Sequence, residues 1–231
     1  MNQNVQTYGS PYGAAPAAAE RNRVLRNTYW LLALSMLPTV LGAWIGIESG
    51  IARAMSPGIG MVVFLAGAFG FMFAIEKTKN SAAGVPVLLA FTFFMGLMLS
   101  RMLGVVLGMQ NGASLVMTAF AGTGAIFLGM ATLSSVIKRD LSAMGKWLFI
   151  GAMLVMVAGI ANFFIQSSAL MLTLSVLVVG IFSAFILHDL KRVKDGLEDN
   201  YISATLGVYL SLYNVFQGLL ALFGMGGGRD E

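Results

Sequence analysis

The sequence predicts an all-α, polytopic membrane protein with seven transmembrane helices. Of its 231 residues, 58% are hydrophobic and only 10% are charged, and the mean hydropathy is +0.82. A soluble domain carries about 25% charged residues, so lipid must replace water around most of this surface. The apolar runs are also about twice as long as the ~10-residue alternating segments of a transmembrane barrel. Both observations favour membrane-spanning helices.

Seven apolar runs are each long enough to cross about 30 Å of hydrocarbon at about 1.5 Å per residue. Pro57 lies at the start of the second run, where its missing N–H costs little, whereas Pro38 lies within the first run and predicts a kink. The runs cover residues 28–47, 57–75, 83–108, 113–136, 145–165, 168–188 and 201–223. We therefore divide the chain into a flexible cytoplasmic tail (1–22), a transmembrane domain (23–225) and a short C-terminal tail (226–231).

The basic residues alternate between the two sides of the predicted bundle. Arg53 and Arg229 fall on one side, and Arg101 lies within the third run. The other eleven of the fourteen share the opposite side: Arg21, Arg23, Arg26, Lys77, Lys79, Lys138, Arg139, Lys146, Lys191, Arg192 and Lys194. Cytoplasmic loops carry an excess of Lys and Arg, so this alternation predicts a cytoplasmic N-terminus and a C-terminus on the other side. Charges spread between apolar runs do not form a phosphate-binding face, and we expect no nucleic-acid partner.

Small and polar residues form stripes on two of the predicted helices. Since little hydrophobic force acts between helices in lipid, small residues that allow close approach are expected at their contacts. The third run places Gly96, Ser100, Gly104 and Gly108 on one stripe, and the seventh places Ser203, Gly207, Ser211, Asn214 and Gly218 on one face with Gln217 beside it. Lipid solvates such a polar face poorly, so we expect the seventh helix at the centre of the bundle. Its polar groups either form interhelical hydrogen bonds or line a polar path.

The candidate polar core also includes two residues outside the seventh run, Arg101 and Asn162. Arg101 lies about two turns from the outer end of its helix, and an arginine at the bilayer centre costs roughly 2.5–3.5 kcal/mol to insert. It is therefore expected either to extend to the outer interface or to pair with Glu48 or a backbone carbonyl.

Asp189 and His188 are the candidate pH-sensing residues, together with Ser211. Asp189 is expected at the cytoplasmic end of the sixth helix, where a carboxylate opposes the helix dipole. Lys191, Arg192 and Lys194 could neutralise it, or it could act as a protonatable gate because burial disfavours the charged form. His188 is the only histidine, so we expect an interfacial residue rather than a metal ligand.

The sequence offers no catalytic constellation and no cofactor motif. It lacks the H-E-x-x-H pattern of a metalloprotease and a G-x-S-x-G nucleophile elbow. It has no cysteine for a thiolate nucleophile or metal site, and the seventh run has no lysine for a retinal linkage. We expect a protein that is not an enzyme and needs no cofactor or metal.

Three stretches near the C-terminus resemble the signature of the Bax-inhibitor family. They are the segments 185–189 (FILHD), 198–205 (EDNYISAT) and 208–216 (VYLSLYNVF). The segments 24–30 (VLRNTYW) and 158–164 (AGIANFF) resemble the bacterial YccA branch of that family. The similarity extends over nearly the whole chain after about residue 22.

The resemblance implies a seven-helix bundle in the bacterial inner membrane, with helix 7 central, and two possible functions. In the YccA branch, the function is to bind the FtsH membrane protease and modulate its digestion of membrane proteins. In other branches, the bundle is a pH-sensitive calcium leak governed by two aspartates on helices 6 and 7, with calcium ions or protons as its ligands. Asp189 matches the first aspartate, but the second position is Ser211, which cannot titrate. An Asp–Ser pair loses the coupling of two carboxylates, so the protease regulator is favoured over the leak.

Overall fold

A computed structural model describes residues 18–226, and this part of the chain is built from eight helices without any strand. They are α1 (Ala18–Ser49), α2 (Ile51–Ala54), α3 (Pro57–Thr78), α4 (Gly84–Leu107), α5 (Gly112–Val136), α6 (Ser142–Ile165), α7 (Ser168–Asp195) and α8 (Tyr201–Gly226). All except the short α2 are long and apolar enough to cross a membrane. Over these residues, the prediction of an all-α protein with seven helices long and apolar enough to span a membrane is confirmed.

Two helices extend well beyond their apolar runs. α1 begins at Ala18 rather than at residue 28, so the predicted boundary of the N-terminal tail at residue 22 is wrong. The rest of that tail, residues 1–17, and residues 227–231 of the C-terminal tail lie outside the described part. α7 continues to Asp195, and Gly196 ends it with a left-handed φ of 75°. Hydropathy marks the apolar part of a helix, but the backbone hydrogen bonds of the helix continue through the polar residues beside it. The helix is therefore longer than its apolar run.

A close backbone contact joins α1 to α4. A β-carbon on Gly42 of α1 would lie 2.2 Å from the carbonyl oxygen of Phe93, and one on Gly46 would lie 2.4 Å from the Ser100 hydroxyl oxygen. Gly96 and Ser100 of the predicted stripe lie in this contact. α1 remains helical on both sides of Pro38 along it. Small residues on both helices thus permit a tight α1–α4 pair, as expected for packing in lipid.

α8 contacts α1, α3, α4, α5 and α7. Its buried residues recur on both of its sides, and Val208, Tyr209, Val215 and Leu220 are almost completely enclosed. α6, by contrast, buries no residue and packs on α7. The helix arrangement therefore brings the end of α7 and the start of α8 together, where the sequence predicts the functional residues.

Candidate functional site

The bundle has two ends, which we name by their residues. The basic end consists of the connections after α3, α5 and α7 (residues 79–83, 137–141 and 196–200). The α2 end consists of α2 and the connections after α4 and α6 (residues 50–56, 108–111 and 166–167). Asp189 and His188 lie in the part of α7 that approaches the basic end.

Asp189 and His188 form a hydrogen-bonded pair between α6 and α8. The Nδ1 atom of His188 lies 3.1 Å from Oδ1 of Asp189, and both side chains are largely buried. On the α8 side, a β-carbon on Gly207 would lie 2.8 Å from Oδ2 of Asp189. On the α6 side, a β-carbon on Gly145 would lie 2.7 Å from Nε2 of His188. The two glycines provide the space that the imidazole and the carboxylate occupy.

The prediction that Asp189 lies at the end of its helix is wrong, because α7 continues to Asp195. The three nearby basic residues also have other partners. Lys191 pairs with Asp195, Arg192 lies 3.7 Å from Glu198, and Lys194 bonds to α5. Within residues 18–226, the ionisable group that Asp189 contacts is therefore His188 and not this basic cluster.

Ser211 lies one helical turn after Gly207 and is 3% exposed. Within the described residues, Asp189 makes its side-chain hydrogen bond to His188 and not to Ser211. A metal site is also absent there, since no three His, Cys, Asp or Glu side chains in this part of the chain cluster as ligands. The candidate site therefore contains one carboxylate and one imidazole.

Lys194 connects α7 to the end of α5. Its Nζ donates to the carbonyl oxygen of Ala131 at 3.1 Å and to the Ser134 hydroxyl at 2.7 Å, and it also contacts Ser135. A lysine ammonium at a helix C-terminus is stabilising because it meets the negative end of the dipole. Lys194 thus helps to hold α5 against α7 beside the candidate site.

Asn200 connects the start of α8 to the α3–α4 connection. Its Oδ1 accepts from the backbone N–H groups of Ile202 and Ser203, which caps α8. Its Nδ2 donates to the carbonyl oxygen of Lys79 at 3.1 Å and to Asn80 at 2.8 Å. One side chain therefore both starts α8 and fixes it to a neighbouring connection.

Two charged side chains at the basic end, Asp140 and Lys79, are stabilised by local hydrogen bonds. The hydroxyl and backbone N–H of Ser142 donate to Asp140 and lower the pKa of that carboxyl group. The Glu76 carboxylate, 2.6 Å from Lys79 Nζ, raises the pKa of that lysine. Both shifts favour the charged forms of these two side chains.

A second polar face of α8 was not singled out in the sequence. Tyr209 lies 2.8 Å from the Thr39 hydroxyl of α1 and donates to the carbonyl oxygen of Thr92 in α4 at 3.4 Å. Tyr213 donates to the carbonyl oxygen of Met95 at 3.2 Å. Thr205, Tyr209, Tyr213 and Gln217 follow one another at intervals of four residues, and that spacing is the signal that could have revealed the face.

The predicted stripe on α8 faces α7 instead. Gly207 meets Asp189, and a β-carbon on Gly218 would lie 2.8 Å from Cγ2 of Val179. Asn214 donates to Leu210 of its own helix at 2.8 Å, and Gln217 to Tyr213 at 3.4 Å. Ser203 belongs to the α8 cap. The interhelical hydrogen bonds of α8 thus come mainly from the tyrosine face.

The remaining predicted residues lie near the α2 end. Arg101 donates to the carbonyl oxygen of Met55 at 3.4 Å, so a carbonyl and not Glu48 is its partner among the described residues. Asn162 accepts from the Ser167 backbone N–H at 3.0 Å and stabilises the α6–α7 turn. Placing Asn162 in a polar core was wrong, because α6 packs at the periphery.

Two glycines of the α4 stripe differ from the prediction in their surroundings. A β-carbon on Gly104 would lie 2.2 Å from a guanidinium nitrogen of Arg53, so Gly104 accommodates a side chain rather than a helix backbone. Gly108 ends α4 as its C-cap, and the nearest atoms around it belong to α4 itself. The prediction that Gly108 packs against another helix is wrong.

Comparison with known proteins identifies the family. The family model described as "Inhibitor of apoptosis-promoting Bax1" matches residues 21–228. The chain belongs to the Bax-inhibitor family. The match includes every helix that bears the candidate site.

Several relatives of this Bax-inhibitor family member align with nearly its full length. An uncharacterized protein of Neisseria meningitidis is 38% identical over 222 residues, which are 95% of this chain and 98% of the relative. An uncharacterized membrane protein of Vibrio cholerae is 36% identical over 211 residues, covering 91% and 93%. The Escherichia coli protein named "Modulator of FtsH protease YccA" is 34% identical over 203 residues, covering 88% and 90%. The chain is therefore a multi-pass membrane protein, and one of its relatives is the bacterial protein YccA.

Proposed function

We propose that this Bax-inhibitor family member is an inner-membrane regulator that binds the FtsH membrane protease and modulates its degradation of membrane proteins. The observation that carries the proposal is the 34% identity to the modulator of FtsH protease from E. coli, over 88% of this chain and 90% of that protein. A similarity of that length includes the whole bundle and not one shared helix.

The proposed regulator has its N-terminus in the cytoplasm and its C-terminus in the periplasm, with α8 as the central helix. The alternation of basic residues supports this orientation, because the basic end then lies in the cytoplasm. The packing of α8 against five other helices supports its central position. In this arrangement Asp189, His188 and the start of α8 lie near the side on which the protease would act.

Residues 1–17, on the cytoplasmic side of this arrangement, are the proposed handle for the protease. They contain no charge and are rich in Ala, Gly, Asn, Gln and Pro, a composition with little apolar surface to bury. An ATP-driven protease needs an accessible segment to grip. We propose that the regulator engages FtsH through this segment and resists further digestion because the bundle is tightly packed.

The lack of catalytic groups at the candidate site supports a regulator over an enzyme. The Asp189 carboxylate contacts His188 and lies against Gly207, and in the described part of the chain no three His, Cys, Asp or Glu side chains cluster as metal ligands. A site built in this way can bind a proton or alter helix packing.

A pH-sensitive calcium leak is the second candidate, favoured by the buried His188–Asp189 pair between α6 and α8. Protonation of that pair would change the contact with Gly207. We rank it second because the position that corresponds to the family's second aspartate is Ser211 in this chain. One carboxylate provides a weaker cation site than two.

Substrate turnover tests the proposed regulation. In the native host, deletion of the gene should change the half-life of membrane proteins degraded by FtsH, and expression of the full chain should restore it. A chain lacking residues 2–17 should fail to restore the half-life, while a chain lacking residues 227–231 should succeed. Unchanged substrate half-lives after deletion would refute the proposal.

A further inference from the structure

A groove of about 440 Å³ opens between α4, α7 and α8 at the α2 end of the bundle. Arg101 is its single charged residue, and the rest of the lining is apolar. Five methionines contribute to it: Met98, Met102, Met109, Met171 and Met225. Met109 and Met171 are exposed, so the groove is open to the surroundings of the bundle. Methionine side chains are flexible and polarizable, and they adapt to an irregular apolar guest.

Arg101 has no acidic partner within residues 18–226. Its guanidinium donates to the Met55 carbonyl oxygen at a long 3.4 Å, and Nη1 would lie 3.4 Å from a β-carbon on Gly60. The four ion pairs of the described residues do not include it. A guanidinium has five donors, so most of its hydrogen-bonding capacity is available to another group.

The position of Arg101 matches the level of a lipid headgroup. It lies six residues before the end of α4 at Leu107, which corresponds to about 9 Å along the helix. A long side chain reaches the interface from that depth. A second guanidinium belongs to Arg53 of α2. It lies against Gly104, about one helical turn after Arg101 along α4. Arg101 and Arg53 therefore place two guanidinium groups at this corner of the bundle.

We propose that this groove binds one anionic phospholipid, with its phosphate on Arg101 and an acyl chain along the methionine lining. Charge complementarity selects the phosphate, since guanidinium–phosphate hydrogen bonds are charge-assisted and can be bidentate. The apolar lining selects an acyl chain over the polar surface of a soluble ligand. The lipid fills the groove and supplies the anion that Arg101 lacks.

Two variants address the two parts of the site separately. Arg101→Gln removes the positive charge, and its matched control is Arg139→Gln, which removes an exposed arginine at the basic end. Gly224→Leu fills the groove, because a β-carbon there meets Val106 and Met109 only at 3.6 and 4.0 Å. Its matched control is Gly180→Leu on α7, where a β-carbon meets nothing within 4 Å.

Native mass spectrometry of the full chain in detergent, titrated with dioleoylphosphatidylglycerol or dioleoylphosphatidylcholine, tests the proposal. The parent and both controls should bind one phosphatidylglycerol in preference to phosphatidylcholine. Loss of a charge-assisted hydrogen bond should weaken binding about tenfold in Arg101→Gln, and Gly224→Leu should weaken binding of both lipids. If Arg101→Gln fails to fold, the Gly224→Leu comparison decides. Binding equal to that of the parent in either folded variant, or a co-purifying protein that occupies the groove instead, would overturn the proposal.

Discussion

Gly96 of α4 lies directly against the carbonyl oxygen of Thr39 in α1, so that a β-carbon at position 96 would lie 2.0 Å from that oxygen. The neighbouring atom belongs to the backbone, which cannot move without separating the two helices. The α1–α4 contact therefore depends on the absence of a side chain at this position.

Gly96→Ala should destabilise the protein although alanine is the better helix former. Overpacking a close contact costs typically 1–3 kcal/mol, and the gain in helix propensity is at most about 1 kcal/mol. The matched control is Gly70→Ala in α3, where a β-carbon meets nothing within 4 Å. Unfolding by denaturing detergent should show a lower midpoint for Gly96→Ala alone. Equal midpoints for the two variants would contradict the packing described here.

Tyr209→Phe should weaken the attachment of α8 to α1. The variant loses the hydrogen bond to Thr39 at 2.8 Å and that to the Thr92 carbonyl, which together should cost about 0.5–1.5 kcal/mol. A double-mutant cycle with Thr39→Val should give a coupling of about 0.6 kcal/mol, the average found between membrane helices. Tyr29→Phe, at a residue that packs edge-on against Phe127, is the matched control. A coupling of zero would show that the bond contributes no stability.

The spans could be predicted because hydropathy and the alternation of charge both follow from the lipid environment. The extra turns of α1 and α7 could not, since Arg21, Arg23, Lys191 and Lys194 end the apolar signal without ending the helix. Helix ends are set by backbone capping, here by Gly196 with its positive φ.

The sequence indicated the α7-facing stripe of α8 but missed its tyrosine face. Tyr209 and Tyr213 resemble ordinary aromatic residues of a membrane helix until their partners on α1 and α4 are known. Likewise, the polarity of Asn162 was visible, but its neighbour Ser167 across the α6–α7 turn depends on how that turn folds. Small residues predict close packing, whereas the identity of the partner requires the three-dimensional arrangement.

Reconstituted protein should show no pH-dependent calcium flux. The candidate site has the one carboxylate of Asp189, with Ser211 where a second aspartate would be needed. Liposomes loaded with a calcium-sensitive dye measure the flux between pH 6 and 8, with protein-free liposomes as the control. A flux that depends on pH and is lost in Asp189→Asn would instead support the leak channel.

Labelling of single cysteines should establish the orientation, and the natural chain contains no cysteine that would interfere. Asn111→Cys is exposed at the α2 end and Arg139→Cys is exposed at the basic end. A membrane-impermeant maleimide should label Asn111→Cys in intact spheroplasts, but Arg139→Cys only after permeabilisation. The opposite pattern would reverse the proposed topology.

The most direct test of the account is co-purification from native membranes. Full-length protein with an affinity tag at its C-terminus, extracted in mild detergent, should bring down FtsH, as detected by immunoblot. The chain without residues 2–17 should recover much less, while Arg139→Gln should recover as much as the parent. If the well-folded full-length protein is recovered without FtsH, the central claim that this Bax-inhibitor family member is a regulator of that protease is wrong.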